Sequence, residues 1–179
     1  MKRIIMLSLL GGVLILAGCA NFHSDSYIFS SENVARLQEL DVEGVSVGEF
    51  TSDEPANTIA CRAAGEVITP EGITFAEYIG EALKNELAVA GKYDPNSDLK
   101  ISGHLRNIDL DSMNGEWVLD VIFQNQDNAE FTFKETYKFP AQFEAVNACE
   151  MAAKSLYPSV RKLLQELIHH NEFKEFLDV

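Results

Sequence analysis

Between residues 99 and 139 the chain carries three successive runs in which apolar residues recur at every second position. These are Leu99, Ile101 and Leu105, then Trp117, Leu119, Val121 and Phe123, then Phe131, Phe133, Tyr137 and Phe139. Side chains alternate faces along a strand, so a period of two means strands with one apolar and one wet face. Three such runs this close in sequence form an antiparallel meander. Asn114-Gly115 suits a tight type I′ turn, whose central residues both need positive φ, and residues 125–129 make a looser second connection. The aromatic face, Trp117 included, must bury against helices while Lys134, Thr136 and Lys138 meet water. The apolar phase flips between Leu105 and Ile108, which predicts a bulge near Asn107.

The covering helices are also legible. Thr74-Phe75-Ala76-Glu77 has the capping-box form, in which a hydroxyl and a carboxylate satisfy orphan amides at a helix start. Phe75, Ile79, Ala82, Leu83, Leu87 and Ala90 follow at three- and four-residue steps, and Gly91 stands where a left-handed stop is expected. A second helical pattern runs from Phe143 to about His170, and Pro158 inside it predicts a kink or two abutting helices near Tyr157. Phe173, Phe176 and Leu177 suggest a last short turn. Upstream, residues 40–50 alternate through Val45 and Val47 as a first strand, and residues 51–72, with Pro55 and Pro70, read as a long connection. The expected fold is α+β: a single four-stranded, mostly antiparallel sheet in β-α-β-β-β-α order, with two helices packed on one face.

The N-terminus reads differently. Lys2 and Arg3 precede an apolar run, residues 4–16, broken only by Ser8, which is the layout of a secretory signal. The run falls short of the ~20 apolar residues that a membrane-spanning helix needs. Leu16-Ala17-Gly18-Cys19 resembles the lipobox of bacterial lipoproteins, in which the cysteine is acylated and cleavage falls just before it. The resemblance implies Cys19 as the lipid acceptor, with diacylglycerol and further acyl chains such as palmitate attached. One acyl chain holds a protein only marginally and two or more hold it stably. In that family an Asp directly after the cysteine favours the inner membrane; Ala20 and Asn21 here favour the periplasmic face of the outer membrane. The alternative is ordinary secretion with an incidental cysteine.

The expected layout is therefore a signal peptide at 1–18, a flexible tether at 19–33 and a single periplasmic domain at 34–179. The tether reading rests on the Ser, Asp and Asn content of residues 21–32, although Phe22, Tyr27 and Phe29 could still pack on the domain. Cleavage leaves 161 of 179 residues, a single-domain length, with 12 of the 14 bases against all 28 acids, a formal net charge of −16. That argues against nucleic acid as a partner and against binding anionic lipid through a basic surface.

Once Cys19 is acylated, Cys61 and Cys149 remain. Two thiols in an oxidising compartment make one bridge, and Cys61–Cys149 is expected; two buried free thiols are the alternative. No Cys-x-x-Cys motif points to redox chemistry.

Catalytic motifs are thin. His169 and His170 are adjacent, so on a helix they point about 100° apart and cannot share a metal face. Glu166 with His170 is a poor site by itself. His104 falls on the strand face opposite Leu105. No phosphate loop, nucleophile elbow or zinc motif occurs, and no cofactor or metal site is expected. Asp109 and Glu116 are the acids a hydrolase would draw on. Arg62 with Glu66 and Glu71, on a stretch stapled at Cys61, forms a candidate binding rim; a merely rigidified connection is the other reading.

The element order behind a lipobox resembles small periplasmic lipoproteins with a curved sheet and two helices: the LPS-assembly lipoprotein, the YajG-type lipoproteins and the curli-secretion lipoprotein's periplasmic domain. The resemblance implies a membrane-tethered, non-enzymatic accessory module that binds an envelope protein or polymer, through an edge strand for instance. A carrier of small ligands or lipid and a periplasmic hydrolase are the alternatives.

Overall fold

The structure, a computed structural model, describes residues 20–177. The signal-like segment and Cys19 lie outside the described residues. In chain order the elements are β1 (Ala20–His23), α1 (Ser31–Gln38), β2 (Ser46–Ser52), β3 (Thr58–Cys61), β4 (Gly65–Ile68), a 3-10 turn (Pro70–Gly72), α2 (Phe75–Val89), β5 (Lys100–Asp111), β6 (Glu116–Gln124), β7 (Glu130–Lys138), α3 (Ala145–Ile168) and α4 (Phe173–Phe176).

The fold is α+β, but the expected single sheet is corrected to two. The larger sheet runs β2-β5-β6-β7, with β2 parallel to β5 and the other pairs antiparallel. This is the anticipated meander plus the first strand. The ladder shifts register between Leu105 and Asn107, where the change of apolar phase requires a bulge. Ile101, Trp117, Leu119, Val121 and Phe123 are fully buried under α2 and α3, while Lys134, Thr136 and Lys138 are exposed. The Trp117 indole N–H donates to the Ala152 carbonyl at 3.0 Å, so the one polar atom of the largest core side chain is satisfied.

The second sheet, β1-β4-β3, was not foreseen. β3 and β4 make an antiparallel hairpin inside what reads as a connection, and β1 joins β4 in parallel. Four-residue strands are too short to show a period, which is why this segment passes for a loop. The flexible-tether reading of residues 19–33 is corrected for those that are described. Phe22 is buried in the core, and Ser30 caps α1 by accepting from the Asn33 N–H. The Tyr27 hydroxyl donates to Glu86 Oε1 at 2.6 Å. Tyr27 and Ser30 find a buried partner in Glu86 and Phe22 finds the core, while Phe29 stays exposed.

Both helix-boundary expectations for α2 hold. Thr74 and Glu77 exchange the two capping-box bonds, and beyond Gly91 the Lys92 N–H reaches back to the Leu87 carbonyl at 2.8 Å. One local expectation is narrowed and one does not hold. α3 is one helix of 24 residues with Pro158 inside it, not two abutting helices. Its apolar face is buried from Ala148 to Ile168, and that continuous packing outweighs the hydrogen bond that proline forfeits. At the β5–β6 turn only Gly115 (φ 73°) has positive φ, whereas Asn114 does not. The loop is four residues long and is organised by Asp111, whose side chain accepts from the Met113 and Asn114 amides, so no type I′ pair is needed.

Candidate functional site

The Cys61–Cys149 disulfide joins the end of β3 to the first turns of α3, with Cα atoms 5.8 Å apart. Directly after it, Arg62 adopts φ 50°, which aims its side chain out of the β3–β4 turn. Its guanidinium donates to the Ser112 hydroxyl at 3.3 Å and to the carbonyls of Ser112 (2.8 Å), Gln142 (3.0 Å) and Phe143 (3.0 Å). A rigid fork is suited to several acceptors at once. Here it ties the β3–β4 turn, the β5–β6 turn and the chain entering α3 into one end of the molecule.

The expected rim is not assembled. Arg62 is committed to those four oxygens. Glu66 is exposed within β4, and Glu71 lies past the far end of that strand, at φ 58° in the 3-10 turn. The three residues are strung along the hairpin and do not converge. The disulfide and Arg62 act instead as two adjacent fasteners, the rigidified connection that was the other reading.

The remaining sequence candidates fall as follows. Asp109 is exposed opposite Val118, and Glu116 lies 3.9 Å from Lys138. Asp111, by contrast, has its carboxyl held below the usual range by the Asn114 amide and side chain. His169 caps α3, while His170 packs against the Phe131 ring at 4.4 Å between centroids and accepts from the Glu172 N–H. Among the described residues, no group of three or more His, Cys, Asp or Glu side chains could hold a metal.

Two arrangements went unnoticed in the sequence. The first is a line on the outer sheet face. Thr51 Oγ1 meets His104 Nδ1 at 3.0 Å, and His104 Nε2 faces Asp53 at 3.6 Å. It borders a half-open cleft of about 460 Å³ between the sheets, lined by Asp53, Thr58, Ile59, Leu105 and Arg106 among others. Hydroxyl, imidazole and carboxylate in this order match nucleophile, base and orienting acid. However, Asp53 is 87% exposed, so water competes for the contact and it orients the imidazole only weakly. The parallel register of β2 against β5 creates this line, and no local pattern announces it.

The second is Glu86, fully buried on α2. Its Oε1 accepts from the Tyr27 hydroxyl, the Ser30 amide (2.9 Å) and Asn33 Nδ2 (3.2 Å), while Oε2 and the Asn33 carbonyl oxygen have no partner. Burial and the neighbouring carboxylate push the Tyr27 hydroxyl far above its ordinary pKa. A signal was present: Glu86 falls in phase with the stripe of Ile79, Ala82, Leu83 and Leu87. A carboxylate there must be buried and partnered. It anchors the N-terminal segment rather than a ligand.

No helix among the described residues is long and apolar enough to cross a membrane. No family model, no curated protein and no solved structure matches this chain.

Proposed function

We propose that the protein is an outer-membrane lipoprotein, held on the periplasmic face by an acylated Cys19, and that it works without catalysis as a binding module for an envelope protein or polymer. The observation that carries this reading is the start of β1. Ala20, the residue after Cys19, is already hydrogen-bonded to the Ala64 carbonyl at 3.2 Å and paired with Gly65. Gly65 has no side chain where a Cβ would lie 1.7 Å from the Ala20 carbonyl oxygen, so the strand begins hard against the domain. A lipid on Cys19 then holds a folded body directly at a bilayer, with no leash between. The disulfide supports an oxidising compartment.

For the partner, β7 offers nine residues paired on one side only. An added strand would complete that edge through main-chain hydrogen bonds. Lys134 and Lys138 guard it against self-pairing in an otherwise acidic chain and favour an acidic partner strand. The test has two arms. Labelled palmitate should enter the wild-type protein in cells and not the Cys19→Ser variant, and a photo-crosslinker at Thr136 should capture one envelope component. Unlabelled wild type, or crosslinks no different from those at an exposed α1 position such as Gln38, would overturn the corresponding half.

A hydrolase is the second reading with an observation of its own, the Thr51–His104–Asp53 line; it requires that Thr51→Ala abolish turnover of a periplasmic ester or amide. A carrier would need an apolar chamber between sheet and helices, where Trp117, Leu119, Val121 and Phe123 are instead packed to zero exposure.

A further inference from the structure

Three large apolar side chains stand in solvent around the Arg62 clamp: Met113 (67% exposed), Phe143 (99%) and Val146 (51%). They belong to separate segments. Met113 is in the β5–β6 turn, Phe143 precedes α3, and Val146 is in its first turn. Arg62 gathers them, because its guanidinium bonds Ser112, Gln142 and Phe143 together. The disulfide fixes the same end, since Cys149 is one turn beyond Val146. An apolar cluster exposed on rigid backbone, in a chain of strong net charge, calls for an occupant.

The position of the chain start identifies that occupant. Ala20 pairs with Gly65, and Gly65 pairs with Cys61, the residue before Arg62. At one strand spacing per step, Ala20 lies roughly 10 Å from the β3 end that carries the clamp. Nineteen residues precede Ala20, and the last of them is the cysteine read as the lipid acceptor. The chain therefore enters at the end that displays Met113, Phe143 and Val146. Among the described residues the other exposed large apolar side chains, Ile28 (52%), Phe29 (44%) and Val89 at the close of α2, belong to the far end, where Ser30 meets Glu86.

We infer that Met113, Phe143 and Val146 form a membrane-facing tip that sinks into the bilayer interface beside the acylated Cys19. The inference rests on the lipid-anchor reading above. Acyl chains prevent escape but leave a body free to swivel; a second, apolar point of contact fixes its orientation. Attachment through apolar burial also suits the acidity of the chain, which disfavours anionic headgroups. With the tip down, the α4 end and the Glu130 end of β7 face the periplasmic space.

The test uses the full-length protein, purified from membranes and reconstituted into phosphatidylethanolamine–phosphatidylcholine vesicles with brominated acyl chains. Phe143→Trp and Phe29→Trp are compared after subtracting the signal of the buried Trp117. Both sites are exposed, so neither change disturbs packing, and circular dichroism checks this. Bromine quenching should be roughly two-fold or more stronger at position 143 than at 29. Intact mass, measured on the same samples, reports whether Cys19 carries acyl groups. Acylated protein with equal quenching at the two positions overturns the tip and leaves the anchor standing. Protein without acyl groups overturns both.

Discussion

The two sheets are held by different means. In the larger one, β5, β6 and β7 follow one another in the chain, each is at least nine residues long, and two helices lie directly on the apolar face. Closing each hairpin costs little chain entropy. The smaller sheet has four-residue strands, and β1 pairs with β4, from Ala20–Gly65 to His23–Ile68, across the intervening α1, β2 and β3. It buries Phe22, Cys61 and Val67 on α3, a small apolar return for ordering three strands. The bridge and the four bonds of Arg62 are both at this sheet. Cross-links sit where local contacts are scarce.

The largest test of that contrast removes the bridge. Cys61→Ala with Cys149→Ala releases a loop of 88 residues, which the chain-entropy model values at about 4 to 5 kcal/mol. The loss should fall unevenly. Hydrogen exchange should show β1, β3 and β4 amides losing protection first, with β5 to β7 still exchanging only through global unfolding. Uniform loss in both sheets would mean that they unfold as one unit and would remove the contrast.

Phe22→Ala sharpens it from the other side. Deleting a buried ring costs about 3 kcal/mol, and here the cavity opens under β1 alone. Urea unfolding measures the total. Exchange at Phe22, His23 and their partners Val67 and Ile68 should respond well beyond that at Val121 or Phe133.

Legibility followed the same division. The meander, its bulge, the α2 stripe with both caps and the α3 pattern were visible because periods of two and of three to four need only local sequence. The bridge was visible because thiols are few. The small sheet was hidden: strands of four residues give no period, and the pairing of β1 with β4 is a long-range fact. α1, eight residues with an unremarkable composition, was hidden for a similar reason. Ser and Asn in residues 21–32 suggested freedom because composition cannot show that Glu86, buried on another helix, waits to accept from Tyr27, Ser30 and Asn33. Arg62 was expected beside Glu66 and Glu71, whereas its guanidinium bonds Ser112, Gln142 and Phe143. Three of its four bonds go to backbone carbonyls, which no side-chain motif encodes.

A smaller effect probes how that N-terminal segment is fastened. Glu86→Leu leaves the Tyr27 hydroxyl, the Ser30 amide and the Asn33 amide group buried without an acceptor, which should cost about 2 kcal/mol. Glu86→Gln keeps an oxygen for those donors and can offer an N–H to the unpartnered Asn33 carbonyl oxygen. It should be close to neutral by urea midpoint. If Gln is as damaging as Leu, the negative charge matters and not the acceptor.

The smallest effects come from pH, and they belong to the larger sheet and α2. Bonds from Thr74 hold the Glu77 carboxyl below its ordinary range, whereas burial pushes Glu135 up. Their signs are opposite. Glu77 contributes stability above the ordinary carboxyl pKa and loses it as pH falls through the folded value. Glu135 holds its proton more tightly when folded, so its contribution is present in acid and is lost as pH rises through its raised pKa. Urea midpoints should therefore climb out of acid less steeply in Glu77→Gln and, towards neutrality, decline less in Glu135→Gln. Neither residue touches the bridge, so reducing the disulfide should leave both slopes unchanged, as distant sites add. Asp111 is the exception. Its low pKa owes part to Arg62, next to Cys61. Its share of the acid slope should shrink once the bridge is cut and the clamp loosens, a coupling that Asp111→Asn in the reduced protein would abolish.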